Sequence, residues 1–270
     1  MIRAAGILLR SLRDFFADDG IILAAALAFF TMLVAVPFLI FLVSLTGYFL
    51  GEHAVFYKFF FSKFTYYFPT GTERMARIFR NLTYYKKVGL FGILLYGFLS
   101  YGLFRNLEKA MNRIFKVKKG RHLLLSVFFS FLMISVIGIL TLLSFIFSDY
   151  EPILAFFGKT LSLGRAYSLA LKYLVPVSLL LAISTAVYKF LPAKKVSFRN
   201  ALRGGLFTSV MFEAAKQIFA FYIKSIPLAG SIYGSLSAIW LFLLWVFYSS
   251  CILLIGGEIV HNMGEGGGRR

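Results

Sequence analysis

GGLFTSVMFEAAKQIFAFYI, residues 204–223, is long and apolar enough to cross a bilayer, yet it carries Glu213, Lys216 and Gln217 within five positions. A charged side chain at the centre of such a span costs roughly 2.5–3.5 kcal/mol. If the stretch crosses a membrane, its polar groups must turn toward other helices or toward water. Helical geometry makes that turn natural. Residues three and four apart share a face, so Gly205, Ser209, Glu213 and Gln217 form one row with Lys216 beside it. Phe207, Met211, Ile218 and Tyr222 fall on the opposite, lipid-facing side. Glu213 and Lys216 stand one turn apart and partly neutralise each other.

The rest of the chain has the same character. Of its 270 residues 60% are hydrophobic, and mean hydropathy is +0.82, where a soluble domain is about 45–50% apolar. The apolar residues run continuously and do not alternate with polar ones, which argues against a β-barrel. The sequence therefore predicts an all-α fold, a single polytopic membrane domain over 1–270. Six transmembrane helices are expected at about 21–50, 88–104, 123–147, 168–191, 204–223 and 232–257. The first run is too long for the apolar core of a cleavable signal peptide, and more spans follow it. Pro37 and Pro176 lie inside the first and fourth spans, where each removes a backbone hydrogen bond and favours a kink.

Residues 1–19 read as an interfacial helix, with Leu8, Leu9, Leu12, Phe15 and Phe16 on one face and Arg3, Arg10 and Arg13 marking the other. Asp18-Asp19-Gly20 then stands where a cap for the first span belongs. Small residues recur every fourth position at Gly20, Ala24 and Ala28 and at Gly230, Gly234 and Ala238, a pattern that lets helices approach closely.

Net charge is +18. Such a balance suits nucleic acid in a soluble protein, but here the accumulation of Lys and Arg in cytoplasmic loops explains it first. Six spans place both termini on one side. That side holds 17 of the 29 Lys and Arg, the other holds 10, and Lys172 and Lys216 fall within spans. The richer side is expected to be cytoplasmic, with residues 261–270 a flexible cytoplasmic tail. Residues 51–87 are the exception, an outer segment that is itself basic. VFYKFFFSKFTYYFP interleaves aromatics with lysines, and TERMARIFRNL has helical spacing. This predicts an amphipathic helical hairpin at the outer leaflet. Its Lys58, Lys63, Arg74, Arg77 and Arg80 read either as snorkelling cations in an aromatic belt or as a surface for anionic headgroups.

Chemistry in the usual sense is absent from the pattern. Cys251 is the single cysteine, inside the last span, and His53, His122 and His261 are scattered. Their spacing gives no metal or haem signature, and no cofactor or catalytic residue is expected. The stripe on 204–223 is open to two readings: interhelical glue, or an intramembrane polar site made of Ser209, Glu213, Lys216 and Gln217. Lys172, four residues before Pro176, is a candidate companion.

ALAFFTMLVAVPFLIF (27–42), EKAMNRIFKVKK (108–119), YKFLPAKKVSFRNALRGGLFTSVMFEAAKQIFAFYI (188–223) and IYGSLSAIWLFLLWVFYSSCILLIGGEIV (232–260) together resemble the YihY/virulence factor BrkB family of bacterial inner-membrane proteins, once mislabelled ribonuclease BN. The resemblance covers about residues 5–262. Phe115 stands where many members carry Trp. The positions matching the family pattern are Pro37, Glu108, Asn112, Pro192, Glu213, Lys216, Gly257 and Glu258. The resemblance implies a six-span bacterial inner-membrane protein tied to the envelope and to lipid handling, and it supplies no catalytic residues.

Two functions follow as expectations. One is a transporter or flippase-like protein for a lipid or other anionic amphiphile in envelope biogenesis, with membrane lipids as partners. The other is a scaffold or subunit of an envelope complex, engaging a second copy or an envelope protein. A ribonuclease needs clustered carboxylates or histidines facing water. The eleven acids are mostly isolated, with Asp18-Asp19 the sole adjacent pair, so neither that activity nor specific nucleic-acid binding is expected.

Overall fold

The computed structural model describes residues 2–50, 86–117, 165–225 and 237–267. They form helices α1 (Ile2–Ala17), α2 (Gly20–Leu50), α3 (Lys86–Ile114), α4 (Arg165–Phe190), α5 (Phe198–Ser225) and α6 (Ser237–Gly267), with no strand among them. The outer hairpin with Lys58, Lys63, Arg74, Arg77 and Arg80, the span expected at 123–147, and the Gly230 and Gly234 positions lie outside the described residues.

α6 is the axis of the packing. It lies against α2, α5 and α1 and touches α3 and α4, while α2 pairs with α3 and α4 with α5. Close approach depends on glycine where three helices meet. A Cβ on Gly256 would collide with Thr208 and with the Tyr188 hydroxyl, and one on Gly204 would collide with Val260. Tyr188, fully buried, fills this junction, its Oη 2.6 Å from Thr208 Oγ1 and donating to the Leu253 carbonyl at 2.7 Å. The row Gly20, Ala24, Ala28 is buried along its length.

α6 is long and apolar enough to cross a membrane by itself, and only 17% of its most apolar 18-residue window is buried. A core helix of a soluble protein would be mostly covered. α1 and α2 qualify together as a pair bent by 70°, and Val177–Phe190 within α4 is a shorter apolar helix. Ile22, Phe29, Leu94, Phe98, Ile218 and Phe221 all point outward with more than half their surface open, an apolar exterior that water does not favour. Ser237 to Gly257 makes about 30 Å of helix, which matches the hydrocarbon core. Glu258 and the residues after it extend beyond that length and meet α1.

Three boundaries differ from the sequence reading. The helix expected to end at 104 continues to Ile114, because Leu107, Ala110, Met111 and Ile114 keep an apolar face turned to the core. α5 begins at Phe198, ahead of the expected 204, and buries Ala201. The tail expected from 261 is helical as far as Gly267, because His261 and Asn262 are buried and Asn262 is bonded to α1. Around Pro37, itself buried, α2 is continuous helix.

Candidate functional site

Two ionic regions stand out. The first is on α5. Lys216 Nζ lies 2.6 Å from Glu213 Oε2, one turn apart on the same helix, with 31% and 25% of the two side chains exposed. Ser209 is buried and donates to the Gly205 carbonyl at 2.8 Å. Gln217 is exposed. Phe212 and Phe219 pack on Trp245 of α6 and fasten this stretch to the bundle. Of the residues expected in the polar stripe, the structure thus pairs Glu213 with Lys216, turns Ser209 inward and leaves Gln217 open. The side chain of Lys172, on α4, lies outside what is described.

The second region gathers the ends of several helices. α1 stops at Ala17 because the chain turns at Asp18-Asp19. Asp18 N–H donates to Asp14 O at 2.8 Å, and Asp19 takes a left-handed conformation, φ 56°. Its carbonyl then accepts the Leu23 N–H at 3.0 Å and starts α2. Gly20 has no room for a Cβ, which would strike the Phe15 ring and backbone. α3 ends in the same region. Val117 N–H bonds Asn112 O at 2.8 Å and Lys116 N–H bonds Arg113 O at 3.0 Å, with Lys116 left-handed at φ 56°. That is the Schellman pattern, with lysine in the position glycine usually fills. A left-handed conformation costs a non-glycine residue about 1–2 kcal/mol. Ion pairs offset it here, since the Lys116 ammonium meets Asp18 and the Arg113 guanidinium meets Asp19.

Neighbouring segments lock onto this corner. Asn112 Oδ1 accepts the Ala193 N–H at 2.9 Å, next to buried Pro192, in the link between α4 and α5. Asn262 Nδ2 donates to Ser11 Oγ and Asp14 Oδ2, both at 3.0 Å, and Arg10 Nη2 reaches Glu265 at 2.9 Å. Glu108 is 2% exposed with Arg105 at 3.5 Å. Gly257 faces Met111 and Ile114. Phe115 meets the His261 ring edge-on at 5.7 Å, an aromatic contact onto α6.

Glu258 lies inside this assembly. Its side chain has no solvent exposure, and neither carboxylate oxygen has a hydrogen-bond partner. Burial foremost, then the neighbouring Asp18 carboxyl, pushes its pKa up to about 8, against the pull of Lys116. Burial likewise lowers the His261 imidazole below its ordinary value. Among the described residues no three His, Cys, Asp or Glu side chains are placed to hold a metal ion.

Of the family-pattern positions, Glu108, Asn112, Pro192, Gly257 and Glu258 therefore fall in one region, together with Asp14, Asp18, Lys116 and Asn262. Sequence reading had singled out none of these last four as site residues. A lysine at a helix C-terminus and an asparagine in an expected tail carry no signal of their own. Only the meeting of α1, α3 and α6 gives them one.

The Virulence factor BrkB family model matches residues 11–266. A UPF0761 membrane protein of Azotobacter vinelandii is 33% identical over 256 residues, covering 92% of this chain and 61% of the relative. One from Legionella pneumophila is 30% identical over 267 residues, covering 95% and 62%. One from Alteromonas mediterranea is 27% identical and is matched over 89% of its length. The chain thus spans about three fifths of the length of the first two relatives. No solved structure matches. Neither the family description nor these names carries an enzymatic activity. With a match over nearly its whole length, the chain belongs to the Virulence factor BrkB family, whose curated relatives are named membrane proteins.

Proposed function

We propose that this chain is an integral protein of the bacterial inner membrane, crossing it six times with both termini cytoplasmic, and that it moves a lipid or other anionic amphiphile between leaflets during envelope biogenesis. The observation that carries the reading is the Glu213–Lys216 pair. It is partly exposed, on a helix that is largely apolar from 204 to 223. A pair placed so within a membrane is stable only beside water or polar headgroups. A polar track along an otherwise apolar helix is what a headgroup needs to pass the hydrocarbon. Lys216 then contacts the anionic group and Glu213 prevents that contact from becoming permanent. No G-x-x-x-x-G-K-[ST] phosphate-binding loop occurs in these 270 residues, so movement is passive, ion-coupled or driven by a partner.

The test is reconstitution into liposomes carrying a fluorescent phospholipid in both leaflets, with dithionite bleaching the outer one. The wild-type protein should expose inner-leaflet lipid to bleaching. The double variant E213Q/K216M, inserted in equal amount, should lose most of that rate. Equal rates in the two proteins would remove the assignment.

One observation favours a second reading, a scaffold in an envelope complex. The Tyr188–Thr208–Leu253 junction and its glycines leave little room for helices to slide. A scaffold would give no lipid movement in either protein and would co-purify with a fixed partner or a second copy.

A further inference from the structure

Glu258 is used by neither reading above. Every other acid among the described residues, Asp14, Asp18, Asp19, Glu108, Glu213 and Glu265, stands within 4.0 Å of a cation. Glu258 is the most enclosed of the seven and has no such pairing. Its two oxygens are joined by a third buried acceptor without a donor, Asn262 Oδ1, one turn further along α6. A buried carboxyl with no donor to hold its charge is more readily protonated than ionised. Asp18 lies close enough to Glu258 for their carboxyl groups to share one. Two carboxylates at such a distance do not both ionise readily in a buried place.

We propose that Glu258 and Asp18 form a proton-binding site, one proton held between the two carboxyl groups, at the seam where the α1–α2 corner meets α6. When it is occupied, Glu258 donates to Asp18, and Asp18 keeps its ion pair with Lys116. Release breaks the O–H bond and leaves two carboxylates. The proton passes to water at the solvent edge of the site, where the Asp18 side chain is 14% and Lys116 53% exposed. Both carboxylates then repel each other and compete for one ammonium, and the seam weakens. The proton is therefore a ligand that ties the amino-terminal corner to α6.

The groups facing this site set its titration. From α1 comes Asp14, already bonded to Asn262 and near Arg10. The α1–α2 corner supplies Asp18, with Asp19 turned to Arg113. The end of α3 supplies Lys116, the cation that, among the described residues, opposes proton uptake at Glu258. On α6 itself, buried His261 lies 3.3 Å from Glu265, and Lys194 of the α4–α5 link acts on His261. This inference does not depend on the transport reading, because the site binds its proton whatever the protein moves.

The test is infrared spectroscopy of the full chain in lipid, titrated from about pH 5 to pH 9. A protonated carboxylic acid has a carbonyl stretch that a carboxylate and an imidazole lack. That band should persist at pH 7 in the wild-type protein, fade as pH rises through about 8, and be missing at pH 7 in E258Q. E213Q should leave it in place. D18N, which removes the like charge and frees Lys116, should shift the midpoint down by about one pH unit or more. Absence of the band at pH 7 in the wild-type protein, its survival in E258Q, or an unmoved midpoint in D18N would each overturn the proposal. Should E258Q fail to fold, the wild-type titration and the D18N shift still decide it.

Discussion

At the charged end, segments far apart in the sequence close around their ions. On α5, one helix holds an ion pair by itself. Asp18, Lys116, Asn112 and Asn262 are fixed by partners 80 or more positions away, with Glu258 buried among them, while Glu213 has its partner three positions on. The first arrangement joins elements to one another. The second leaves its helix free to present the pair to something else. Ionic groups that interlock elements contribute mainly to stability, and ionic groups that satisfy only each other are available for work.

This contrast can be broken by mutation, and the largest effect should fall where helices approach most closely. Gly256→Val drives a branched side chain into Thr208 and the Tyr188 hydroxyl. It should lower unfolding stability by about 3 kcal/mol or more, read as a drop in melting temperature of the detergent-solubilised protein. Asn112→Ala removes the acceptor of the Ala193 N–H, the net loss of one hydrogen bond, at about 0.5–1.5 kcal/mol.

The two regions also respond differently to pH. The folded Glu258 carboxyl binds its proton up to about pH 8, whereas an unfolded one releases it near 4.5. Between those values the folded state carries a proton that the unfolded state lacks. Stability is therefore greatest at the acidic end and falls as pH rises through the window, by at most about 1.4 kcal/mol per unit. Melting temperatures of E258Q should lose that slope, and those of E213Q should keep it. The smallest effect is expected on α5 itself, where removing the partly exposed pair with E213Q/K216M should change stability by only about 0–1 kcal/mol. A loss there as large as that of Asn112→Ala would mean that the pair is glue.

The sequence made the helical class and the membrane character legible, because long apolar runs have few other readings. It also marked Glu213 and Lys216, since charge inside an apolar run is conspicuous by itself. Helix ends were harder to read. Met111 and Ile114 continue an apolar face past the first charged residues of an expected loop, and Asn262 extends α6 by bonding to a helix nearly the whole chain away. Lys116 ends α3 in a left-handed turn that no glycine announces. In the sequence Glu258 stands out only as one position of the family pattern. Its isolation from any donor emerges only when α1, α3 and α6 are assembled around it.

On the proposed function, α5 presents a wet polar face and a lipid-covered apolar face at the same depth. Cysteine accessibility tests this most directly. In a C251S background, Gln217→Cys and Ile218→Cys sit one residue apart, on the exposed polar row and on the outward apolar face. A charged, membrane-impermeant thiol reagent applied to the protein in lipid bilayers should modify the cysteine at 217 quickly and the one at 218 barely at all. Equal, slow modification at both positions would mean that no water reaches the Glu213–Lys216 row, and would rule out a polar path along α5.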